Sequence, residues 1–416
     1  MNKSEFINNA SKERQEKIKA AIKRVHDGEP YERVKEEFAE VLRSTTAQEI
    51  SEIEQSLIAG GMPVEDIQYL CDVHVAMFRE SLDEQPTADM LPGHPVYTFR
   101  AENELLTIVL NDIRNTLRQL VGNQNTELFD RLKTNVEKMI DFDRHYERKE
   151  NLLFSYLERV DFSGPSNVMW GIHNDIRKGW KQLSAMLAKK DKLEFNDVQA
   201  LNEVFTPIEN MMREMVYKEE RILFPAALER LVEADWLAMH AQEEDFGFSY
   251  VQRGKEWPVN EIKEPQKEEK IDMIEEIKET EMTSFPLKTG DLSISQINMM
   301  LLRLPVDITY VDENDTVLFF SETPERIFKR TAAIIGRKVQ NCHPPQSMDK
   351  VQQILDDFKA GTRDNAEFWI QMNGMFIHIE YFALRDANGT YKGTLEVSQD
   401  LTHLRSLEGE KRLLDD

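Results

Sequence analysis

Apolar residues recur at helical spacing through the first 250 residues, and the pattern changes to a two-residue alternation after about residue 291. Helices are predicted where the spacing is three or four, and strands where it is two. The longest helical patterns cover about 93–121, 125–159, 168–189 and 197–231. Four long helices with short connections are typical of an up-and-down four-helix bundle. Residues 1–88 also carry helical patterns and predict a separate small helical domain.

The last third of the chain predicts a domain that mixes strands and helices. Strands are predicted at about 306–311, 316–320, 366–372, 375–384 and 390–399, and helices at 324–328, 347–360 and 406–414. Asn373-Gly374 and Asn388-Gly389 separate the last three strands, and Asn-Gly is a strong hairpin signal. We therefore expect a multidomain protein with an all-α N-terminal part and an α+β domain at 291–405. A charged linker at 251–290 would join them, and 406–416 would form an exit helix or tail.

Composition bears on the binding partners and the cellular compartment of the protein. The 416 residues carry a net charge of −24, which argues against non-specific binding to nucleic acid or to an anionic membrane. No apolar run reaches the roughly 20 residues that a membrane span needs, and the N-terminus lacks the apolar core of a signal peptide. The two cysteines, Cys71 and Cys342, lie far apart in sequence. We expect a cytosolic protein without a structural disulfide.

Two stretches of the predicted bundle repeat one another. Residues 145–159 are HYERKENLLFSYLER, and residues 215–230 are MVYKEERILFPAALER. Aligning their Leu-Phe pairs matches His145 with Met215, Lys149 with Glu219, and Glu150 with Glu220. Polar groups at matching depth on two helices indicate that the bundle encloses a polar site.

Histidine and carboxylate side chains on facing helices suggest a metal centre, because bundles bind metals through such residues. A mixed imidazole and carboxylate set suits iron, and also zinc or manganese. A residue four positions after a histidine shares its helix face, but the residue four positions after His145 is Lys149. Glu150, at five positions, lies about 140° round a regular helix. It could join His145 only through a local distortion such as a π-bulge, which adds one residue.

The order and spacing of these residues resemble a hemerythrin-like (HHE cation-binding) domain over about 92–235, or 92–250 with an appended segment. His94 begins the first predicted helix, His145 precedes ENLLF on the second, His173 lies on the third, and Glu219-Glu220 precede ILFP on the fourth. The resemblance implies the metal ligands His94, His145, Glu150, His173, Glu219 and Glu220. Met215 stands where a second histidine is expected, so His74, Met215 and His240 are further candidates. The implied cofactor is non-haem iron, as one ion or two.

A haem site is an alternative that the same residues support. A histidine and a methionine inside a helical bundle can bind haem iron. His145 and Met215 occupy equivalent places on two predicted helices. The chain has no Cys-x-x-Cys-His, so such a haem would be haem b held without a covalent bond. A bundle with no cofactor is the third alternative.

Residues 1–88 resemble DUF438, a small helical domain of unknown function that precedes hemerythrin-like domains in some bacterial and archaeal proteins. The matching residues are Leu42-Arg43 with the following Thr-Thr, the stretch Glu54–Pro63, and Leu70-Cys71-Asp72-Val73-His74.

Residues 291–405 resemble a PAS domain in their order of two strands, short helices and three strands. The resemblance rests on LPVDITYVDENDTVLFFSETPERIF at 304–328 and GTLEVSQDLTHLR at 393–405. Asn341-Cys342-His343-Pro344-Pro345 falls in the helical region that often lines a PAS pocket. Cys342 is therefore a redox candidate and His343 a haem-binding candidate, and the PAS ligand is unknown.

These resemblances imply a cytosolic sensor or regulatory protein rather than an enzyme. The bundle would bind iron and respond to O2, NO or redox state, and the PAS domain would be a second input or form a homodimer. No kinase, cyclase or DNA-binding domain follows the PAS domain, so output would pass to an unknown partner protein, or the protein would store or deliver iron. The alternatives are a haem-binding sensor, a di-iron oxidoreductase or nitric-oxide-handling enzyme, and a structural adaptor. We expect no nucleic acid or membrane among its partners.

Overall fold

The computed structural model describes residues 16–21, 23–24, 29–38, 53, 56, 90–123, 125–190, 192–258, 284–323 and 326–411. The chain divides into two compact units: the first comprises 1–259 with Pro344–Gln346, and the second comprises the rest. Near the N-terminus, Tyr31–Glu37 forms a short helix within the region predicted to be helical. No helix in the described ranges is long and apolar enough to cross a membrane.

Four long helices form the core of the first unit. α1 is Pro95–Gly122. α2 comprises Thr126–Asp141, Asp143–Arg148, the π-helical turn Lys149–Leu153 and Phe154–Arg159. α3 is Gly164–Ala188. α4 comprises Phe195–Lys218, the π-helical turn Glu219–Leu223 and Phe224–Arg230, and the shorter α5 is Glu233–Gln242. The pairs α1–α2, α2–α3, α3–α4 and α4–α1 pack together, so the predicted four-helix bundle is confirmed.

Apolar residues at helical spacing line the inside of the bundle. On α1 these are Phe99, Leu106, Leu110, Ile113 and Leu117, each at most 2% exposed. Burying one such side chain contributes roughly 1.5–3 kcal/mol. Gly179 allows α3 and α4 to approach closely, because a Cβ there would lie 2.5 Å from Ile208 Cγ1.

The two π-helical turns lie at equivalent positions of the sequence repeat. Lys149–Leu153 and Glu219–Leu223 are matched residue for residue when the two Leu-Phe pairs are aligned. A π turn accommodates one extra residue and so changes which side chains face the bundle interior. The distortion that the spacing of His145 and Glu150 requires is therefore present, and it occurs in both repeats.

Residues after α5 fold back onto the start of α1. The backbone N–H groups of Glu256 and Trp257 donate to Pro92 O at 2.9 and 3.0 Å. Gly93 permits this contact, because its φ is +112° and an added Cβ would lie 2.5 Å from Trp257 O. Residues 256 and 257, which fall in the segment predicted to be a linker, therefore contact the start of α1.

A five-stranded antiparallel sheet is the centre of the second unit. A separate hairpin comes first and pairs β1, Ser284–Leu287, with β2, Gly290–Ser293. The strands of the large sheet are β3 Asp307–Asp312, β4 Val317–Phe320, β5 Asn365–Met372, β6 Met375–Arg385 and β7 Tyr391–Asp400. Their order is β4-β3-β7-β6-β5. Two helices, α6 Ile294–Leu301 and α7 Pro345–Ala360, belong to this unit, apart from the first two residues of α7.

The order of the strands along the chain and the turn between β5 and β6 agree with the sequence. Asn373 and Gly374 have φ values of +52° and +82°, as a two-residue hairpin turn requires. The hairpin β1–β2 instead lies inside the predicted linker. Two helix predictions fail within the described residues: 326–328 are not helical, and neither are 407–411. In the first of these segments, Ile327 N donates to the Asp307 carboxylate at 2.7 Å, so this backbone N–H does not form a helical hydrogen bond.

Candidate functional site

Charged side chains fill the centre of the bundle at the level of the two π turns. This cluster, the charged core, comprises Glu102, His145, Arg148, Lys149, Glu150, His173, Arg177 and Glu219. The first six and Glu219 are at most 4% exposed, and the side chain of Arg177 is 20% exposed. All four bundle helices contribute to it, with Glu102 on α1, His173 on α3 and Glu219 on α4.

His145 lies between two carboxylates from neighbouring helices. Its Nδ1 is 2.9 Å from Glu102 Oε2, and its Nε2 is 3.1 Å from Glu219 Oε2. The ring stacks on Phe142 at a centroid distance of 4.3 Å. Both ring nitrogens of His145 are therefore engaged by the protein's own side chains.

Arg148 balances Glu102 on the side of the bundle next to the appended segment. Its Nη1 and Nη2 donate to Glu102 Oε1 and Oε2 at 3.2 and 2.6 Å, which is a two-point guanidinium–carboxylate contact. Ser249 N donates to Glu102 Oε1 at 2.7 Å. The segment after α5 thus closes the charged core as well as docking on α1.

Lys149 and Glu219 form an ion pair between the two π turns, with Lys149 Nζ donating to Glu219 Oε1. Asn103 Nδ2 donates to the other oxygen, Oε2, at 2.9 Å. Burial alone would raise the pKa of Glu219, but Lys149 and His145 outweigh it and lower this pKa to about 2. Burial lowers the pKa of Lys149, and the Glu219 carboxylate opposes that effect.

Glu150 is directed at His173 and Arg177 on α3. Its Oε1 lies 2.7 Å from His173 Nδ1, and Arg177 Nη1 and Nη2 donate to its two oxygens at 2.8 and 3.0 Å. Burial raises the pKa of Glu150 to about 7, although Arg177 opposes this. Burial, aided by Lys149, lowers the pKa of His173 well below its usual value. The neutral ring stacks on Tyr146 at 4.0 Å, and its buried Nε2 has no hydrogen-bond partner within the described part of the chain.

Glu220 and Met215 lie beside the charged core. Glu220 contacts Arg100 Nε at 2.9 Å through Oε2 and accepts from Asn103 at 3.2 Å through Oε1. Burial raises its pKa, against the effect of Asn103 and Arg100. Met215 is 1% exposed.

His94 and His240 form a separate group at the end of the bundle. His94 packs against Trp236 and Trp257 at centroid distances of 4.7 and 4.8 Å, and His240 Nδ1 lies 3.0 Å from Gly93 O. Burial, with a contribution from His240, lowers the pKa of His94 to about 4. His94 precedes Glu102, the α1 residue that contacts His145, by eight positions, which is about 12 Å along a helix.

The expected metal ligands therefore divide into groups. The structure brings His145 together with Glu219, and His173 together with Glu150, whereas His94 and His240 lie elsewhere. His74 lies outside the described residues. Sequence reasoning missed Glu102, Arg148 and Arg177. The sequence could have indicated Arg177, because it is four positions after His173 and so shares its helix face.

The charged core, as arranged here, does not fit a metal centre. All four carboxylate oxygens of Glu102 and Glu219 already contact side-chain or backbone nitrogens. In the described ranges no group of three or more His, Cys, Asp or Glu residues is placed to hold a metal ion. His173 Nε2 is the kind of unpartnered nitrogen that a metal could use, and the carboxylate on its Nδ1 is a common companion of such ligands. One unpartnered nitrogen does not make a site.

The second unit buries a charged pair of its own. Arg330 Nη2 lies 3.3 Å from Glu396 Oε2, and the two side chains are 11% and 9% exposed. Glu396 stands on β7, opposite Thr309 of β3 and Tyr381 of β6. Burial alone would lower the pKa of Arg330, but Glu396 outweighs it and the pKa is raised. Burial raises the pKa of Tyr381, and Glu396 adds to that effect.

Two hydrogen-bond donors in this interior are unsatisfied. Arg330 Nε and Thr331 Oγ1 are buried, and within the described residues neither has a hydrogen-bond partner. A cavity of about 420 Å³ lies where β3 begins and β7 ends, next to the paired residues Asp307 and Ser398, and its lining includes neither Arg330 nor Thr331. Ser398 Oγ also lies 3.4 Å from Glu396 Oε1, so the cavity and the charged pair are connected through one side chain.

Cys342 and His343 are placed by the short helical turn Val339–Cys342. Cys342 is a partly buried thiol that donates to Lys338 O at 3.7 Å and packs on the apolar cluster around Val317 and Leu355. His343 Nδ1 contacts Val339 O at 2.9 Å, within its own turn. Their redox and haem-binding roles stay predictions.

Comparison with protein-family models divides the chain into three domains. Residues 18–84 match the family of unknown function DUF438, residues 94–227 match the hemerythrin HHE cation binding domain, and residues 297–402 match a PAS domain. The predicted three domains and their fold classes are thereby confirmed. No curated protein matches the chain.

Several solved structures are similar to part of the chain. The C-terminal domain of a Streptococcus mutans protein is 34% identical over 31% of this chain and 99% of that one, with a TM-score of 0.30. The PAS domain of Bordetella pertussis BvgS is 18% identical over 27% and 91%, with a TM-score of 0.23. A PAS domain from Colwellia psychrerythraea is 14% identical over 26% and 98%, with a TM-score of 0.22.

Proposed function

Because the chain contains a hemerythrin HHE cation-binding domain between a DUF438 domain and a PAS domain, we propose that it is a sensory protein whose PAS domain receives a small-molecule signal. The buried Arg330–Glu396 pair, with the unsatisfied donors Arg330 Nε and Thr331 Oγ1, carries this proposal. Output through a partner protein and homodimerisation through the PAS domain remain predictions.

The cost of the PAS interior supports a functional role for it. A buried ion pair rarely stabilises a fold more than apolar side chains of similar size would. A buried donor without a partner costs a further 1–3 kcal/mol or so, and native proteins contain few of them. A ligand that extended from the cavity past Ser398 and offered acceptor oxygens to Arg330 and Thr331 would remove this cost on binding. The ligand class that fits is a small molecule with a carboxylate or carbonyl group.

The neighbouring cavity is large enough for such a molecule. Its volume of about 420 Å³ lies within the range of about 300–1,000 Å³ typical of small-molecule sites. Asp307 is already engaged there, since its carboxylate accepts from Thr323 Oγ1 at 2.6 Å and from Ile327 N at 2.7 Å. The carboxylate of Asp307 therefore shapes the cavity wall rather than offering a free charge.

A more specific version of the sensory function is that the bundle binds iron and responds to O2, NO or redox state. The charged core counts against it, because Lys149, Arg148 and Arg177 already neutralise the carboxylates. The same objection applies to a di-iron oxidoreductase or nitric-oxide-handling enzyme. Haem b fits less well, because both ring nitrogens of His145 contact carboxylates.

A hydroxyl substitution tests the PAS proposal without endangering the fold. Thr331→Val removes an unsatisfied hydroxyl, so the unliganded protein should be as stable as wild type or more so. The control for binding is Thr362→Val, which makes the same change at an exposed threonine whose hydroxyl donates to Asp357 O at 3.1 Å. The full chains are analysed by native mass spectrometry for a co-purified small molecule, and by thermal unfolding against a set of small carboxylic acids.

We expect wild type and Thr362→Val to carry, or to be stabilised by, the same compound. Thr331→Val should bind it at least 10-fold more weakly, the effect of losing about 1.4 kcal/mol of hydrogen bonding. The proposal fails if wild type neither carries a compound nor responds to any acid in the set. It also fails if Thr331→Val binds as tightly as wild type.

A further inference from the structure

We propose that Lys149 is a built-in cation, which gives the charged core the positive charge that a metal ion would otherwise supply and makes the bundle independent of metal. This inference concerns the bundle and stands independently of the PAS ligand. Residues 94–227 match an HHE cation-binding domain, but the carboxylates of the charged core already contact the protein's own cationic side chains.

The sequence repeat shows how Lys149 comes to be there. Lys149 and Glu219 are the first residues of the two equivalent π turns, and their side chains meet between α2 and α4. Carboxylates at both positions would place two negative charges together in a buried site. Such a pair needs a cation from outside, because like charges in a low dielectric repel strongly. The ammonium group at one of the two positions removes that need.

The remaining charges of the core are matched in the same way. Glu102 contacts Arg148 at 2.6 Å, and Glu150 contacts Arg177 at 2.8 Å. Each of the three carboxylates of the charged core, Glu102, Glu150 and Glu219, thus contacts one cationic side chain, and Arg148 also lies 3.3 Å from Glu243 Oε1. His173 adds no fixed positive charge, because burial lowers its pKa. A divalent ion added to this set would leave an unbalanced positive charge in a dry interior, which is costly.

The contacts of Glu219 make the competition specific. Its Oε1 accepts from Lys149, and its Oε2 from Asn103 at 2.9 Å, with His145 Nε2 at 3.1 Å. A metal bound to Glu219 would have to displace Lys149 from its ion pair. Lys149 is 0% exposed, so its ammonium group would stay buried after losing the carboxylate. Met215 occupies the place of a further histidine on the same helix, and thioether sulfur is a poor ligand for hard cations.

The test asks whether replacing the lysine by a carboxylate creates a demand for metal. The full chain and its variants Lys149→Glu and Lys138→Glu are stripped with EDTA and titrated with Mn2+ or Zn2+. Metal retained after gel filtration is measured by elemental analysis, and stability by thermal unfolding. Lys138 is an exposed residue of α2, so its variant makes the same charge change away from the core.

Wild type and Lys138→Glu are expected to melt at the same temperature with EDTA and with metal, and to retain no metal. Lys149→Glu is expected to retain metal and to melt at a higher temperature when metal is present. The proposal is overturned if EDTA lowers the melting temperature of wild type, or if wild type retains metal. It is also overturned if Lys149→Glu is as stable as wild type without metal.

A charge-free pair keeps the proposal testable should Lys149→Glu not fold. The double variant Lys149→Met/Glu219→Gln removes both charges from the core. It should melt at a higher temperature than either single variant, Lys149→Met or Glu219→Gln, and addition of Mn2+ or Zn2+ should not change its melting temperature. A double variant that melts below both single variants would refute the ion pair as the source of the balance.

Discussion

Lys149 and Glu219 stand at equivalent positions of two π-helical turns and form an ion pair in which neither side chain is exposed. The pair joins α2 to α4 at the depth where His145 contacts Glu102 and Glu219. On the proposal made above, this pair supplies the positive charge that a metal ion would otherwise supply to the core.

Removing one partner of this pair should cost far more than removing both. Lys149→Met leaves the buried Glu219 without its cation, and loss of one partner of a buried ion pair costs about 3–5 kcal/mol. Glu219→Gln should cost a similar amount. The free energies of unfolding of both single variants and the double variant, from urea titrations, give the coupling. A double variant whose loss equals the sum of the single losses would contradict the pairing.

Tyr146 and Tyr250 should respond oppositely to loss of their hydroxyls. The buried hydroxyl of Tyr146 has no hydrogen-bond partner within the described residues, so Tyr146→Phe should leave stability unchanged or raise it by about 1 kcal/mol. Tyr250 donates to Lys138 O at 2.5 Å, so Tyr250→Phe should lower stability by about 1 kcal/mol. Urea unfolding of the two variants under one buffer decides the matter. Equal losses would show that Tyr146 has a partner after all.

Glu243 should make the first unit less stable as the pH rises. Its side chain is 0% exposed, and burial raises its pKa to about 7, although Arg148 opposes this. An acid whose pKa is raised in the folded state stabilises that state below its unfolded pKa of about 4.3, and this contribution is lost as the pH rises to about 7. The loss is on the order of 3 kcal/mol.

Replacement of Glu243 by glutamine should therefore flatten the stability profile between pH 4.5 and 7, and raise the urea midpoint of the first unit at pH 8. The matched control is Glu244→Gln, since the neighbouring Glu244 side chain is 70% exposed. If the two variants had the same pH profile, Glu243 would not carry the dependence.

The outline of both units follows from local sequence pattern. Helical spacing located the four bundle helices, and Asn373-Gly374 located the hairpin between β5 and β6, because a two-residue turn with positive φ strongly favours these residues. The five-residue interval from His145 to Glu150 pointed to a π turn, and the repeat shows that Glu219–Leu223 follows the same pattern. These are features that neighbouring residues determine.

Partners across the bundle could not be obtained in that way. Spacing shows which face of a helix a residue occupies, but not which side chain meets it from another helix. Lys149 therefore counted as a departure from a metal-ligand pattern, whereas the structure pairs it with Glu219. His94 was expected in the site because it begins α1, yet Glu102, eight residues later, is the residue that reaches His145. The available signal was that Glu102 shares the face of α1 that carries Phe99 and Leu106.

The iron content of the wild-type chain tests the central claim most directly. The protein is produced with iron supplied, purified without oxygen, passed through gel filtration in EDTA, and analysed for metal. If Lys149 serves as the cation of the bundle, iron should fall far below one ion per chain, while the protein stays folded with an unchanged melting temperature. One or two iron ions per chain that survive this treatment would contradict the account.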